Sequence, residues 1–444
     1  MTQTAPDPTS DTKETESLKP GPSPRTGRSR LASVLGPGLI TGASDDDPSG
    51  IATYSQVGAQ YGYAASWTLL FSYPLMAAVQ IVSARLGRTT GRGIAGNLRK
   101  FCPSWLVGMV IVPLLVANAI NIGADIGAMA DAIKLLVGGP GLIYVAAIGV
   151  LCVLAEMYVG YRQYARLLKW TSLSLFAYVA TAVVVELDWS ALGAGLLMPT
   201  LHIDADYITA IVAIFGTTIS PYLFFWQASQ EVEELKADAR REPLKDHPEQ
   251  APDAQMRINL DTFVGMAFSN VIALAIMVTS AATLHLHHVT AIESSAQAAS
   301  ALEPVAGKFA SIVFCLGIVG TGLLAVPVLA GSAAYGLGEA LKWPTSLARK
   351  PRRAKAFYGA IAAATMIGAG LNLTSISPMK ALYWSAVVNG VVAVPVMALM
   401  LVMASHRTLM GEETIGAGLR IVGWLAAAVM TLCVVGMFAQ MALS

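Results

Sequence analysis

Eleven stretches of this chain stay apolar over about the 20 residues a helix needs to cross a bilayer, and polar loops separate them. In hydrocarbon no water meets a free N–H or C=O, so each stretch has to satisfy its backbone internally, as a helix. The stretches run Leu35–Ala59, Trp67–Leu86, Leu106–Val137, Leu142–Val159, Trp170–Val185, Ile208–Trp226, Thr262–Leu284, Ile312–Leu337, Ala356–Leu371, Leu382–Met403 and Ile421–Leu443. Charged residues make up 13% of the 444 and hydrophobic ones 55%, where a soluble domain carries about 25% charged. The chain is read as an all-α polytopic membrane protein.

Basic residues set the orientation. Lys19, Arg25, Arg28 and Arg30 precede the first span, and the loops after spans two, four, six and eight are strongly basic, with Arg162 and Arg166 after span four. The other loops carry few bases. The N-terminus is expected in the cytoplasm and, with an odd number of spans, the C-terminus outside. Residues 1–30 are polar, rich in Pro, Ser and Thr, and lack an apolar core, which reads as a disordered cytoplasmic tail and not a signal peptide. Residues 31–444 form the transmembrane domain. A net charge of +1 gives no sign of a nucleic-acid partner. Cys102, Cys152, Cys315 and Cys433 are scattered and form no CxxC pair, so neither a disulfide framework nor a thiolate metal site is indicated.

Two spans are interrupted. The first, GPGLITGASDDDPSGIATYSQVGAQYG, places Asp45, Asp46 and Asp47 directly before Pro48, Ser49 and Gly50. A carboxylate at bilayer depth costs several kcal/mol and usually lines a polar pathway. Proline and glycine break the helix there and free carbonyl oxygens beside Asp47. The ordinary alternative is a helix N-cap outside the membrane, because Asp-Asp-Pro also starts soluble helices. Five spans later DYITAIVAIFGTTISPYLFFW is interrupted by Gly216, Thr217, Thr218, Ser220 and Pro221. Pro221 leaves the Thr217 carbonyl without its helical donor. The alternative here is a proline kink satisfied by Ser and Thr hydroxyls. Paired interrupted helices in matching positions mark the binding site of inverted-repeat transporters, with repeats over residues 35–186 and 206–405 and the last helix, 417–443, appended.

On these residues the chain resembles the Nramp family of divalent-metal transporters: GPGLITGASDDDPSGIATYSQ five spans before GTTISPY, and SARLGRTTGRG closing span two. The resemblance implies a LeuT-like 5+5 inverted repeat with helices 1 and 6 discontinuous. The family's first helix carries Asp-Pro-Gly-Asn and its sixth Met-Pro-His. Asp47 and Pro48 match that pattern, but Ser49 stands for Gly, Gly50 for Asn, Ser220 for Met and Tyr222 for His. A thioether favours Mn, Fe and softer ions, and removing it leaves oxygen donors suited to Mg²⁺ with retained water. Losing the His removes a group that titrates near neutral pH. The chain is therefore most similar to the Nramp-related magnesium transporters, which implies import of Mg²⁺, and of Mn²⁺, without proton coupling. The alternatives are a proton-coupled Mn²⁺/Fe²⁺ symporter and an amino-acid or organic-cation carrier of the same superfold.

By the resemblance Asp47 is the direct ligand, with Asp46, Ser49, Gly50, Thr217 and Ser220 contributing side chains, carbonyls or water-mediated contacts. Asp45 is assigned to the pathway vestibule, Asp125 to the acidic position of span three, and Tyr222 to the pathway. Asp125 and Asp131, six apart, do not share a face. His285, His287 and His288 are read as solvated loop residues before metal captors. Glu231, Glu233 and Glu234 are read as a solvated helical extension, and Asn389 as a pathway or interhelical residue. No Walker motif, phosphate loop or nucleophile triad occurs, which speaks against ATP-driven transport and hydrolysis. The expectation is a monomeric carrier in the plasma membrane, with no enzymatic activity and no cofactor.

Overall fold

The computed structural model describes residues 41–42, 44–158, 172–200, 202, 204–238, 240–347, 349, 351–374 and 376–443. The expected tail over 1–30, the start of the first span, Trp170, Arg162 and Arg166 lie outside the described residues. Every regular element among them is helical. The longer helices, in chain order, are α1 Pro48–Tyr61, α2 Trp67–Thr90, α3 Ile94–Phe101, α4 Ser104–Val137, α5 Gly141–Tyr158, α6 Phe176–Val184, α7 Trp189–Leu197, α8 Ala205–Thr218, α9 Pro221–Ala237, α10 Ala251–Thr283, α11 Ala310–Ala340, α12 Lys355–Gly370, α13 Pro378–Ala404 and α14 Ala417–Leu443.

Counting α8 and α9 together, nine helices among the described residues are long and apolar enough to cross a membrane. The two expected spans missing from that number, the first and the fifth, run into undescribed residues. Sequence periodicity overlooked two short helices. One is α3, whose Ile94, Ala95 and Leu98 face inward and whose first turn is capped by Glu339 of α11, which accepts from Gly93 N at 3.1 Å and Gly96 N at 2.9 Å. The other is α7, started by Asp188, which accepts from Ala191 N. The seventh span also begins eleven residues before its apolar run, because Pro252 and Asp253 open a helix in polar sequence.

Close backbone approach holds the bundle together. A Cβ added to Gly216 would lie 1.9 Å from the Ala386 carbonyl oxygen, so α8 and α13 touch backbone to backbone. Gly58 meets the Met277 carbonyl in the same way and brings α1 against α10. Small residues at such crossings let helices interlock where lipid supplies no hydrophobic drive. The outer faces of α4, α12 and α14 present Val116, Ile367 and Leu432 outward. The broken helices sit at the centre: α1 packs on α10, α13 and α8, and α9 packs on α2.

Candidate functional site

The first break is formed by Asp46 and Asp47. Residues 44–45 are helical, Asp46 bends away, and α1 starts at Pro48 with Asp47 as its N-cap (φ −73°, ψ 173°). Proline at the first helical position needs no N–H partner. One Asp47 oxygen, Oδ1, accepts from Gly50 N at 2.8 Å and Ser49 Oγ at 2.6 Å. Asp47 thus caps as in a soluble helix, but the cap is wholly buried among the helices.

The other oxygen, Oδ2, faces two further helices. It accepts from Tyr222 OH of α9 at 3.3 Å and from Asn121 Nδ2 of α4 at 3.1 Å. Asn121 Nδ2 also donates to Asp125 Oδ2 at 3.1 Å, and Asn121 Oδ1 accepts from Asn389 Nδ2 of α13 at 2.9 Å. Asn121, Asp125 and Asn389 are all fully buried. The structure therefore links Asp125 to Asp47 through one amide. Asn389 serves as an interhelical bridge, while Asp131, on another face of α4, accepts from Ser295 Oγ. Asn121 had no signal in the sequence beyond being an amide in an apolar run, one turn before Asp125.

Asp45 and Asp46 turn the other way. Ser269 of α10 donates to Asp45 Oδ2 at 2.5 Å and lies 3.2 Å from Asp46 Oδ1. Both acids are buried, so in this conformation Asp45 lines no open vestibule. The three consecutive acids divide into a pair against α10 and one carboxylate aimed at α4 and α9.

The second break separates α8 from α9 at Ile219 and Ser220, with Pro221 as first residue of α9. The Thr217 carbonyl, expected to be free, accepts from Ser220 Oγ at 2.9 Å, and the same hydroxyl lies 2.7 Å from the Gly216 carbonyl. Thr218 Oγ1 donates back to Ile214 O at 3.0 Å. The Ser220 hydroxyl thus takes the Thr217 carbonyl that Pro221 leaves, while Thr218 bonds back within α8; the helix is nonetheless broken at Ile219 and Ser220 and not merely kinked. Donating its proton to the backbone leaves the Ser220 oxygen with lone pairs to offer. The two breaks meet: the space a Cβ on Gly50 would fill is bounded by Thr217 Oγ1 at 3.2 Å and the Asp45 carbonyl oxygen at 3.3 Å. None of residues 45–50 or 216–222 carries sulfur.

The remaining candidates do not converge. Among the described residues no group of three or more His, Cys, Asp or Glu has metal-holding geometry. His285 and His287 are spent on the carbonyls of Ala59 and Thr283. The acids ending span six are not a solvated extension. Glu231 is fully buried, its Oε2 2.5 Å from Arg257 of α10, and Glu234 pairs with Arg241 at 2.5 Å and Arg257 at 3.3 Å. Arg88, at the end of α2, donates to Gln250 Oε1 at 2.8 Å and to the Glu242 carbonyl.

Comparison with known proteins agrees with this architecture. A protein of Yersinia enterocolitica named divalent metal cation transporter MntH is 30% identical over 306 residues, covering 68% of this chain and 71% of its own. A Klebsiella pneumoniae protein of the same name is 26% identical over 415 residues, 92% of this chain and 94% of its own. Among solved structures, the Eremococcus coleocola manganese transporter superposes with a TM-score of 0.69 at 17% identity, over 95% of this chain and 89% of that one. MhsT, in complex with L-phenylalanine, superposes at 0.60 with 13% identity, over 89% of this chain and 98% of that one. The fold is that of the LeuT-like transporters. The profile described as "Nramp: Natural resistance-associated macrophage protein-like" matches residues 38–440, and the chain belongs to the Nramp family.

Proposed function

We propose that this protein carries a divalent metal cation across the plasma membrane, inward, through the point where the two broken helices meet. The observation behind this reading is Asp47: a buried carboxylate on a helix break, set beside a second break. A cation held there would have the Asp47 carboxylate and, beside Gly50, the Thr217 hydroxyl and the Asp45 carbonyl as oxygen donors, with Ser220 on the second break a further candidate. Relatives named as divalent metal cation and manganese transporters favour Mn²⁺ as cargo. The hydrogen-bonded chain from Asp47 through Asn121 to Asp125 supports the proton-coupled form of this reading, since it puts a second acid in contact with the ligand's own partner.

A second reading, Mg²⁺ carried without protons, rests on two substitutions at the breaks. Oxygen-only donors suit a hard ion that keeps part of its water, and Tyr222 stands where an imidazole would titrate near neutrality. The alternating basic loops support a cytoplasmic N-terminus and an external C-terminus for either form, and nothing in either reading requires more than one copy of the chain. Uptake of Mn²⁺ and of Mg²⁺ into proteoliposomes, with an internal pH dye, separates the two. Mn²⁺ entry with acidification supports the first, Mg²⁺ entry at constant pH the second, and no flux of either ion removes both.

A further inference from the structure

We infer that Asn121 is the positioning residue of the Asp47 carboxylate, with Asn389 fixing the face Asn121 presents; the inference rests on the transport reading above and deepens it. A carboxylate buried in a helix bundle keeps one orientation only if donors hold it. On the Oδ1 side those donors belong to its own helix, Ser49 and Gly50. On the Oδ2 side, which faces the second break, they come from elsewhere: Tyr222 at 3.3 Å and Asn121 at 3.1 Å.

The Asn121 amide is suited to this in a way its neighbours are not. Its two N–H bonds are used on two different acids, Asp47 and Asp125, and its oxygen accepts from Asn389. Were the amide turned over, its carbonyl would face both carboxylates and its NH₂ would face another NH₂. Asn389 therefore locks the donor side toward Asp47. The three residues come from α1's cap, α4 and α13, separated by 74 and 268 positions in the chain, so the strut also ties the first break to two helices that do not themselves break. Neither asparagine needs to touch the cargo. Their effect is on where the ligand oxygen points.

The test is Mn²⁺ influx and calorimetric Mn²⁺ binding on the purified full-length chain. Asn121→Ala should raise KM and Kd about tenfold, the size of losing one hydrogen bond to a charged group, while Vmax stays within about twofold. Asn121→Asp keeps the shape but sets a third carboxylate against two others, and should weaken binding more than Asn121→Ala does. Asn389→Ala should shift KM in the same direction by about threefold, and adding it to Asn121→Ala should cost nothing further, since the two act in series. Asn389→Ala leaves the contacts of both acids in place, so it reads the strut even if Asn121→Ala fails to fold. Unchanged KM and Kd in the folded Asn121 variants, or independent effects of the two asparagines, would overturn the inference. Wild type that binds Mn²⁺ without moving it, with binding still weakened by Asn121→Ala, would overturn the transport reading alone. Wild type that neither binds nor moves Mn²⁺ would remove both.

Discussion

The Tyr222 hydroxyl donates to Asp47 Oδ2 at 3.3 Å, joining the cap of one broken helix to the first turn of the other. Asp47 heads α1 and Tyr222 is the second residue of α9. The starts of both second halves therefore converge on one carboxylate.

That contact is tested by two substitutions. Tyr222→Phe deletes the longest of four donors to Asp47 and should raise KM for divalent-ion influx by about threefold, the low end for an ordinary hydrogen bond. Tyr222→His places a group titrating near neutral pH against Asp47. Its flux should acquire a dependence on pH between about 6 and 8 that the Phe variant lacks, read as uptake rate across that range.

Gly216 makes the closest of the backbone approaches described above, 1.9 Å for an added Cβ to the Ala386 carbonyl oxygen. Gly216→Ala has no flexible side chain to push aside and must move α8 or α13. Overpacking of this kind costs about 1–3 kcal/mol, so the variant should melt at a lower temperature in detergent and lose transport with it. A melting temperature equal to wild type would mean that the two helices are not in backbone contact.

At the C-terminal end of α9, Arg257 serves both Glu231 and Glu234. Arg257→Ala strands the fully buried Glu231 side chain and should destabilise the protein by about 3–5 kcal/mol. Arg257→Met together with Glu231→Leu removes both charges and should recover most of that loss. Thermal unfolding of the single and double variants decides between a buried pair and a solvated one.

His247 gives the loop between α9 and α10 a pH dependence. Its Nδ1 bonds Glu249 at 2.9 Å and its Nε2 faces Glu242. The bond to Glu249 raises the His247 pKa, with the charge of Glu242 adding to it. A raised pKa in the folded state contributes order that is fully present below the unfolded value and lost as pH rises through the folded one. Residues 242–249 should therefore be better protected from amide exchange near about pH 6 than near about pH 8, relative to intrinsic rates and to the reference pKa of about 6.5. His247→Gln should abolish the difference.

Much of the fold is legible in the sequence because hydropathy and proline act locally. Pro48 and Pro221 mark the two breaks to within a residue, since each stands at the first position of a helix in the structure. Asp47 is legible for the same reason. The fate of the carbonyls is less so. That Ser220 turns back onto Gly216 and Thr217 depends on a rotamer that residue spacing permits without requiring. Asn121 and Glu231 were beyond reach, because the meaning of each lies in a distant partner, Asp47 for one and Arg257 for the other. Asp45 and Asp46 show the same limit: three adjacent acids look like one cluster until Ser269 of α10 draws two of them aside.

The most direct test of the account is divalent-ion influx into proteoliposomes carrying wild type or Asp47→Ala. Wild type should take up Mn²⁺, or Mg²⁺ on the second reading, with saturable kinetics, and Asp47→Ala should lower that uptake at least tenfold while keeping its elution volume and melting temperature. Equal uptake by a folded Asp47→Ala variant would contradict the claim that the cargo passes over this carboxylate.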